Sequence, residues 1–288
     1  MKTVHPAKLN FKNILLPVKP LLNLVSREML QIVDSNGCLN KFEKNLIKNI
    51  FRLPSKKLRP SLLLLSANAA GCMTDEIRSA VIRNAAVIEM IHNASLIHDD
   101  VIDESGIRRN EQTLNFRYGS KLAVLIGDIV NTCAFNVLNG NPGKEINGLI
   151  MDCIFTMCRG EIFSYNKKSP GRKDYLKIIH DKTACLMSVS CKTGAMLACT
   201  DKSVINELGE FGLNFGYAFQ LIDDINDGDT PAAVDGSTCI NDASDFIAAA
   251  VNNLKAVPEN KYTMSMKLLC EYILNDRLSG RNEKIKTP

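Results

Sequence analysis

The sequence predicts an all-α bundle of about ten or more long helices around a central apolar cavity, and three observations carry that expectation. Apolar residues recur with a helical period almost throughout. Strict period-two alternation bounded by turns is hard to find. Turn-forming residues cluster at a few places, residues 34–37, 54–55, 71–74, 140–143, 169–171 and 228–237.

Taken in order, residues 1–33 are basic, with Glu28 the one acid, and read as a solvated first segment. Lys56, Lys57 and Arg59 precede Pro60, placed to open a helix as its first residue. Ile77, Val81, Ile82, Ala85, Ile88, Ile91 and Leu96 form one long stripe. Leu122, Leu125, Ile126, Ile129, Val130 and Cys133 form the next, and Ile146, Leu149, Ile150, Cys153, Ile154 and Met157 a third. Ile205, Leu208, Phe211, Gly212, Phe215, Phe219 and Ile222 form a fourth. With 288 residues, 10 prolines and no Pro/Gly/Ser linker, the chain reads as a single domain over residues 1–288.

Composition excludes several classes. At 45% hydrophobic and 23% charged positions the mix is that of a soluble globular protein. A net charge of +4, from 35 basic and 31 acidic residues, without any Lys/Arg block, argues against nucleic acid as a partner. No apolar run approaches the ~18 residues that cross a bilayer, so no transmembrane segment is expected. A secretory signal is not evident either, which points to the cytoplasm. The 10 cysteines contain no C-x-x-C, and Cys133, Cys153, Cys185, Cys191 and Cys199 fall in apolar helical patterns, as reduced core residues do.

The chemistry begins at His98-Asp99-Asp100-Val101-Ile102-Asp103-Glu104, at the end of the 75–97 stripe. Asp99 and Asp103, four apart, point to one side, with Asp100 adjacent. Three carboxylates here repel one another, so a cation should bind them, and hard oxygen ligands favour Mg2+ shared with a phosphate-bearing substrate. A lone cluster of this kind is also what a solvated helix end looks like. A second one, Asp223-Asp224-Ile225-Asn226-Asp227, ends another long apolar segment. Two such clusters across a bundle would hold Mg2+ at the mouth of an apolar cavity and so suit a diphosphate with a hydrocarbon tail. Lys56, Lys57, Arg59, Arg108, Arg109 and Lys182 supply cations around them. His92, two turns before Asp99, lies on the same face, as either a diphosphate contact or a core histidine.

These landmarks resemble the trans-isoprenyl diphosphate synthases, or polyprenyl synthetases. Ser55-Lys56-Lys57-Leu58-Arg59-Pro60 is similar to the family's G-K-R-L-R-P, and residues 89–100 to the approach to its first aspartate-rich motif. Arg108-Arg109, Gly127-Asp128, Gly160-Glu161, Lys182-Thr183-Ala184 and Phe219-Gln220-Leu221-Ile222-Asp223-Asp224 match further landmarks in order. The resemblance implies the isoprenoid synthase type of helical bundle and condensation of isopentenyl diphosphate with an allylic diphosphate. It implies that Lys56, Arg59, His92 and Arg109 bind isopentenyl diphosphate. Asp99, Asp100, Asp103 and Asp223 would ligate Mg2+, and Asp224 and Asp227 would do so directly or through water. Arg108 and Lys182 would hold the allylic diphosphate, and Thr183 and Gln220 would turn oxygens toward the carbocation. A homodimer is implied too.

Small residues one turn before Asp99, Ala94 and Ser95, leave the cavity open to a medium- to long-chain product, with Phe135 a possible floor. The departures are concentrated after the second cluster, where the family carries a lysine-bearing loop and residues 228–254 hold no Lys or Arg. The family's R-R-G-x-P-T becomes Arg108-Arg109-Asn110-Glu111-Gln112-Thr113, and Ser164 stands where Gln is usual. Three readings follow: an active chain-elongating prenyltransferase, a weakly active or non-catalytic subunit of a heteromeric synthase, and a class I terpene cyclase. Retention of both Asp clusters opposes the second, and retention of Lys56, Arg59 and His92 opposes the third.

Overall fold

A computed structural model describes residues 10–279 apart from Arg109, Asn141 and Pro142, with side chains described through residue 274. Four leucines in a row, Leu62 to Leu65, all without exposed surface, mark the centre of the molecule. A helix apolar on every side has to be surrounded, and α4 (Leu58–Ala70) is. Before it come α1 (Phe11–Ile14), α2 (Lys19–Ser35) and α3 (Lys41–Arg52). The long α5 (Asp75–Ile102) leads to a two-residue hairpin, β1 (Ile107–Arg108) with β2 (Glu111–Gln112), then α6 (Leu114–Tyr118) and α7 (Ser120–Asn139). There follow α8 (Lys144–Asn166), α9 (Arg172–Ile179), a π-helical turn His180–Ala184, and α10 (Cys185–Ala198). The chain ends in α11 (Lys202–Asp227), α12 (Gly236–Asn253) and α13 (Lys261–Ser279).

Local chemistry sets the helix ends. Asn40 and Glu43 form a reciprocal capping box on α3. Thr74 caps α5 and Asp201 caps α11. Gly228, at φ +81°, ends α11 in the left-handed conformation that only glycine adopts without strain. Pro60 is the third residue of α4, not the first as the sequence suggested. It still falls in the first turn, where no intrahelical N–H bond is lost.

Around α4 the packing is close. α10 lies on α4, α11 on α10, and α12 on α11, while α5 packs against α7. Gly194 of α10 sits so near the Leu63 carbonyl oxygen that an added Cβ would lie 2.2 Å from it, so this helix crossing exists only without a side chain. The first segment corrects the sequence expectation. Far from being solvated, α2 buries Val25, Met29 and Val33, an i, i+4 stripe hidden among its basic residues. Residues 1–9 lie outside the described residues. One helix among the described residues, α7, is long and apolar enough to cross a membrane by length and composition. Its inner face, Ala123, Ile126, Val130 and Ala134, is buried in the bundle. The 10 cysteines are all free thiols, and Cys133, Cys153, Cys185, Cys191, Cys239 and Cys270 are buried, as a reduced core requires.

Two glycine substitutions distinguish this packing from helix propensity. Gly194→Ala is expected to cost about 1–3 kcal/mol through overpacking. Gly148→Ala, in α8 with nothing within 4 Å of its added Cβ, is expected to gain about 0.5–1 kcal/mol. Urea midpoints of the two variants check both signs.

Candidate active site

Both aspartate clusters end long helices, α5 at Ile102 and α11 at Asp227, and neither helix has a basic residue in its last turn. The carboxylates therefore sit at the negative pole of each helix dipole, where cations are the stabilising charge. The bundle brings the two poles together. Asp99 and Asp103 from α5 face Asp223 and Asp224 from α11 across a cleft of about 660 Å3. Lys56, Arg59, His92, Arg108, Lys182, Thr183 and Gln220 line the same cleft.

Two of the six expected carboxylates are not brought in. Asp100 is only 7% exposed and turned away from Asp99 by the ~100° that separates neighbours on a helix. It accepts the Arg108 Nε–H at 2.6 Å and so fixes Arg108 at the cleft edge. Asp227 is exposed at the last residue of α11, past the cleft wall. Arg109 lies outside the described residues.

On the basic side, Arg59 Nη1 stands 2.9 Å from His92 Nε2. Lys57, which adopts φ +47° ahead of α4, sends its ammonium to the Ser26 hydroxyl. Burial holds the Lys57 ammonium below its ordinary pKa, opposed by the charge of Glu89. At the opposite wall Lys182 Nζ meets Glu161 Oε2 at 2.6 Å. Thr183 Oγ1 donates to Gln220 Oε1 at 2.9 Å, so these two oxygens meet each other on the cleft wall. Gln220 Nε2 donates to Asp224 Oδ1 at 2.6 Å, and the Tyr175 hydroxyl donates to Asp224 Oδ2 at 2.5 Å. Sequence reasoning missed Glu89, Glu161 and Tyr175. A glutamate inside an apolar stripe, one turn before His92, was a signal for the first. Glu161 showed as a motif match without a role. Tyr175, seven residues before Lys182, carries only a weak spacing signal.

Beside Asp99 a second, mostly apolar cavity of about 300 Å3 opens, lined by Ile91, Ile102, Ile154, Met157 and Ile162. Ser95, Asp99 and Lys182 border both spaces. Ser95, a full turn before Asp99, thus lines the cavity as expected. Ala94 does not: one residue earlier, it is wholly buried in the core. Phe135 is half-buried and lines neither space.

Two of the cleft carboxyls are pushed above their ordinary range. Burial, with repulsion from Glu161 and Asp103, pushes the Asp99 carboxyl up to about 6 against the pull of Lys182 and Arg108. Burial likewise raises Asp224, against its bonds from Tyr175 and Gln220. Among the described residues no three His, Cys, Asp or Glu side chains converge to hold a metal unaided. The donors are all hard carboxylate oxygens in pairs on opposite walls, and that set suits a hard divalent cation.

Residues 40–269 match the sequence profile of the polyprenyl synthetases. The chain belongs to the polyprenyl synthetase family. A prenyl transferase of Synechocystis sp. is 30% identical over 256 residues, which cover 88% of this chain and 77% of that one. A decaprenyl-diphosphate synthase of Dictyostelium discoideum is 35% identical over 178 residues, 62% of this chain and 38% of the relative. The match thus spans well under two thirds of that protein. A polyprenyl synthase from Caulobacter crescentus, complexed with calcium and isoprenyl diphosphate, superposes with a TM-score of 0.82. It covers 95% of this chain and 100% of its own at 20% identity, a likeness of fold. Against that family, the cation-free stretch 228–254 folds as a short turn after Gly228 followed by α12.

Asp99 gives a pH-dependent prediction. Its folded pKa lies above the unfolded value, so the stability it contributes is full below about pH 4 and is lost as pH rises through about 6. Asp99→Asn should therefore stabilise the metal-free protein by about 1–3 kcal/mol at pH 8, with the gain vanishing toward pH 4. Urea unfolding at a series of pH values in EDTA reads the difference.

Proposed function

We propose that the protein is a Mg2+-dependent prenyltransferase that condenses isopentenyl diphosphate with an allylic diphosphate to a medium- or long-chain polyprenyl diphosphate. One observation carries this reading: a polar cleft with two opposed carboxylate pairs adjoins an apolar cavity, and Ser95, Asp99 and Lys182 belong to both. A diphosphate with a hydrocarbon tail matches that division. Asp99, Asp103 and Asp223 are the residues proposed to hold Mg2+, which, when bound, neutralises the charge of the departing diphosphate. Lys182 and Arg108 grip the same diphosphate by charge-assisted bonds. Their fixed charges favour ionisation of the allylic C–O bond, whose electron pair leaves with the diphosphate. Lys56, Arg59, His92 and Arg109 bind isopentenyl diphosphate so that its double bond attacks the allylic cation. The new C–C bond forms and a proton is lost, the diphosphate being the base proposed. Thr183 and Gln220 border the space where the cation develops.

A homodimer belongs to the same reading. Phe155 and Ile162, two turns apart on α8 and exposed by 65% and 63%, lie on one apolar face that a second copy would cover. The single-domain organisation over residues 1–288 is supported by one hydrophobic cluster running from Ile14 to Ile273. The proposed compartment is the cytoplasm, on the sequence reading alone. A second reading, a weakly active or non-catalytic subunit of a heteromeric synthase, is favoured by the absence of Lys and Arg from residues 228–254.

The test is incubation of the pure protein with Mg2+, radiolabelled isopentenyl diphosphate and each allylic primer, followed by chromatography of the products. Turnover to polyprenyl diphosphates is expected, and none with any primer sinks the first reading. His92→Ala should raise the KM for isopentenyl diphosphate about tenfold to a hundredfold and that for the primer far less. Ser95→Phe should shorten the products by one or more isoprene units in a folded enzyme, as checked by circular dichroism. An unchanged product distribution would remove Ser95 from the path of the tail.

A further inference from the structure

Both oxygens of the Asp224 carboxylate are engaged by neutral donors on the cleft wall. Tyr175 Oη–H takes Oδ2 at 2.5 Å and Gln220 Nε2–H takes Oδ1 at 2.6 Å. The Gln220 amide oxygen, at the opposite end of its group, accepts from Thr183 Oγ1 at 2.9 Å. The chain of bonds joins three segments: Tyr175 on α9, Thr183 in the π-helical turn, and Gln220 and Asp224 one turn apart on α11. An amide has a donor end and an acceptor end, and it can be turned either way. Both Asp224 oxygens accept, so Asp224 decides which end of Gln220 faces Thr183. Tyr175, itself buried, decides where Asp224 stands.

We propose that Tyr175 is a positioning residue and Asp224 the anchor it holds. Together they fix the Gln220 amide with its oxygen toward Thr183 and the reacting carbon, beside the Asp223 to which the proposed function already gives cation binding. Asp224 is then a structural acceptor, although it stands in a metal-binding motif. The proposal rests on the prenyltransferase reading for its kinetic part.

The decisive measurements use the full chain with Mg2+ and a non-ionisable allylic thiolodiphosphate, whose binding is read by calorimetry without turnover. Tyr175→Phe and Asp224→Asn should keep the Mg2+-dependent affinity for this analogue within about twofold, whereas Asp223→Asn should lose tenfold or more. In steady state Tyr175→Phe should lower kcat about tenfold to a hundredfold with both KM values unchanged. A tyrosine that served only the fold would lower Tm and leave kcat intact at temperatures where the variant is folded. Should Tyr175→Phe not fold, Asp224→Asn carries both measurements. The proposal is overturned if Asp224→Asn loses analogue affinity as Asp223→Asn does, or if folded Tyr175→Phe has wild-type kcat. A wild-type protein without turnover refutes the proposed function instead, and the calorimetry still decides whether Asp223 or Asp224 meets the cation.

Discussion

Like charge gathered at the wrong end of two helices is the constraint on which the rest of the structure depends. Asp99 and Asp103 close α5 and Asp223 and Asp224 close α11, with no base in either last turn. Each placement lowers stability by itself, and facing the two across one cleft adds to the cost. The bundle tolerates this because its centre is tightly packed elsewhere, through the buried leucines of α4 and the side-chain-free crossing at Gly194. Violation of local rules at one place, within a chain that otherwise obeys them, is the physical mark of a binding site.

Much of the fold was legible in the sequence because helix periodicity and end signals are local. The apolar stripes of α5, α7, α8 and α11 and the breaks between most helices could be read directly. So could the two aspartate clusters, although i, i+4 spacing puts Asp103 beside Asp99 in the cleft and leaves Asp227 outside it. Less legible was anything decided by contact between helices. Asp100 belongs to the motif by spelling, yet it spends its charge on Arg108 of the hairpin. Ala94 and Ser95 are neighbours of similar size, and the helix phase sends one to the core and the other to the cavity. Tyr175 and Glu161 meet partners 49 and 21 residues away, Asp224 and Lys182, so no local pattern announces them.

Charge is distributed unevenly around the cleft. Lys56, Arg59, His92 and Arg108 come from the α4, α5 and hairpin side, and Lys182 from the π-helical turn. The α11 wall contributes Asp223 and Asp224, and the α5 wall sets Asp99 and Asp103 opposite them. A polyanionic ligand here meets carboxylates on both walls, so bridging metal ions matter more to its affinity than they would in an evenly basic cleft.

The π-helical turn at His180–Ala184 interrupts what would otherwise be one continuous helix from Arg172 to Ala198. A π turn accommodates one residue more than an α turn over the same rise, so it absorbs an extra residue while keeping the two halves in phase. Tyr175 upstream and Lys182 and Thr183 within it all address the cleft, while α10 downstream keeps Gly194 against Leu63. Deleting a single residue in this turn would leave a regular helix with both halves close to their present phase. What would change is the aim of the turn's own side chains, Lys182 and Thr183 of the cleft among them. The extra residue therefore serves the side chains that the turn presents to the cleft, and the helices on either side, with Gly194 against Leu63, do not depend on it.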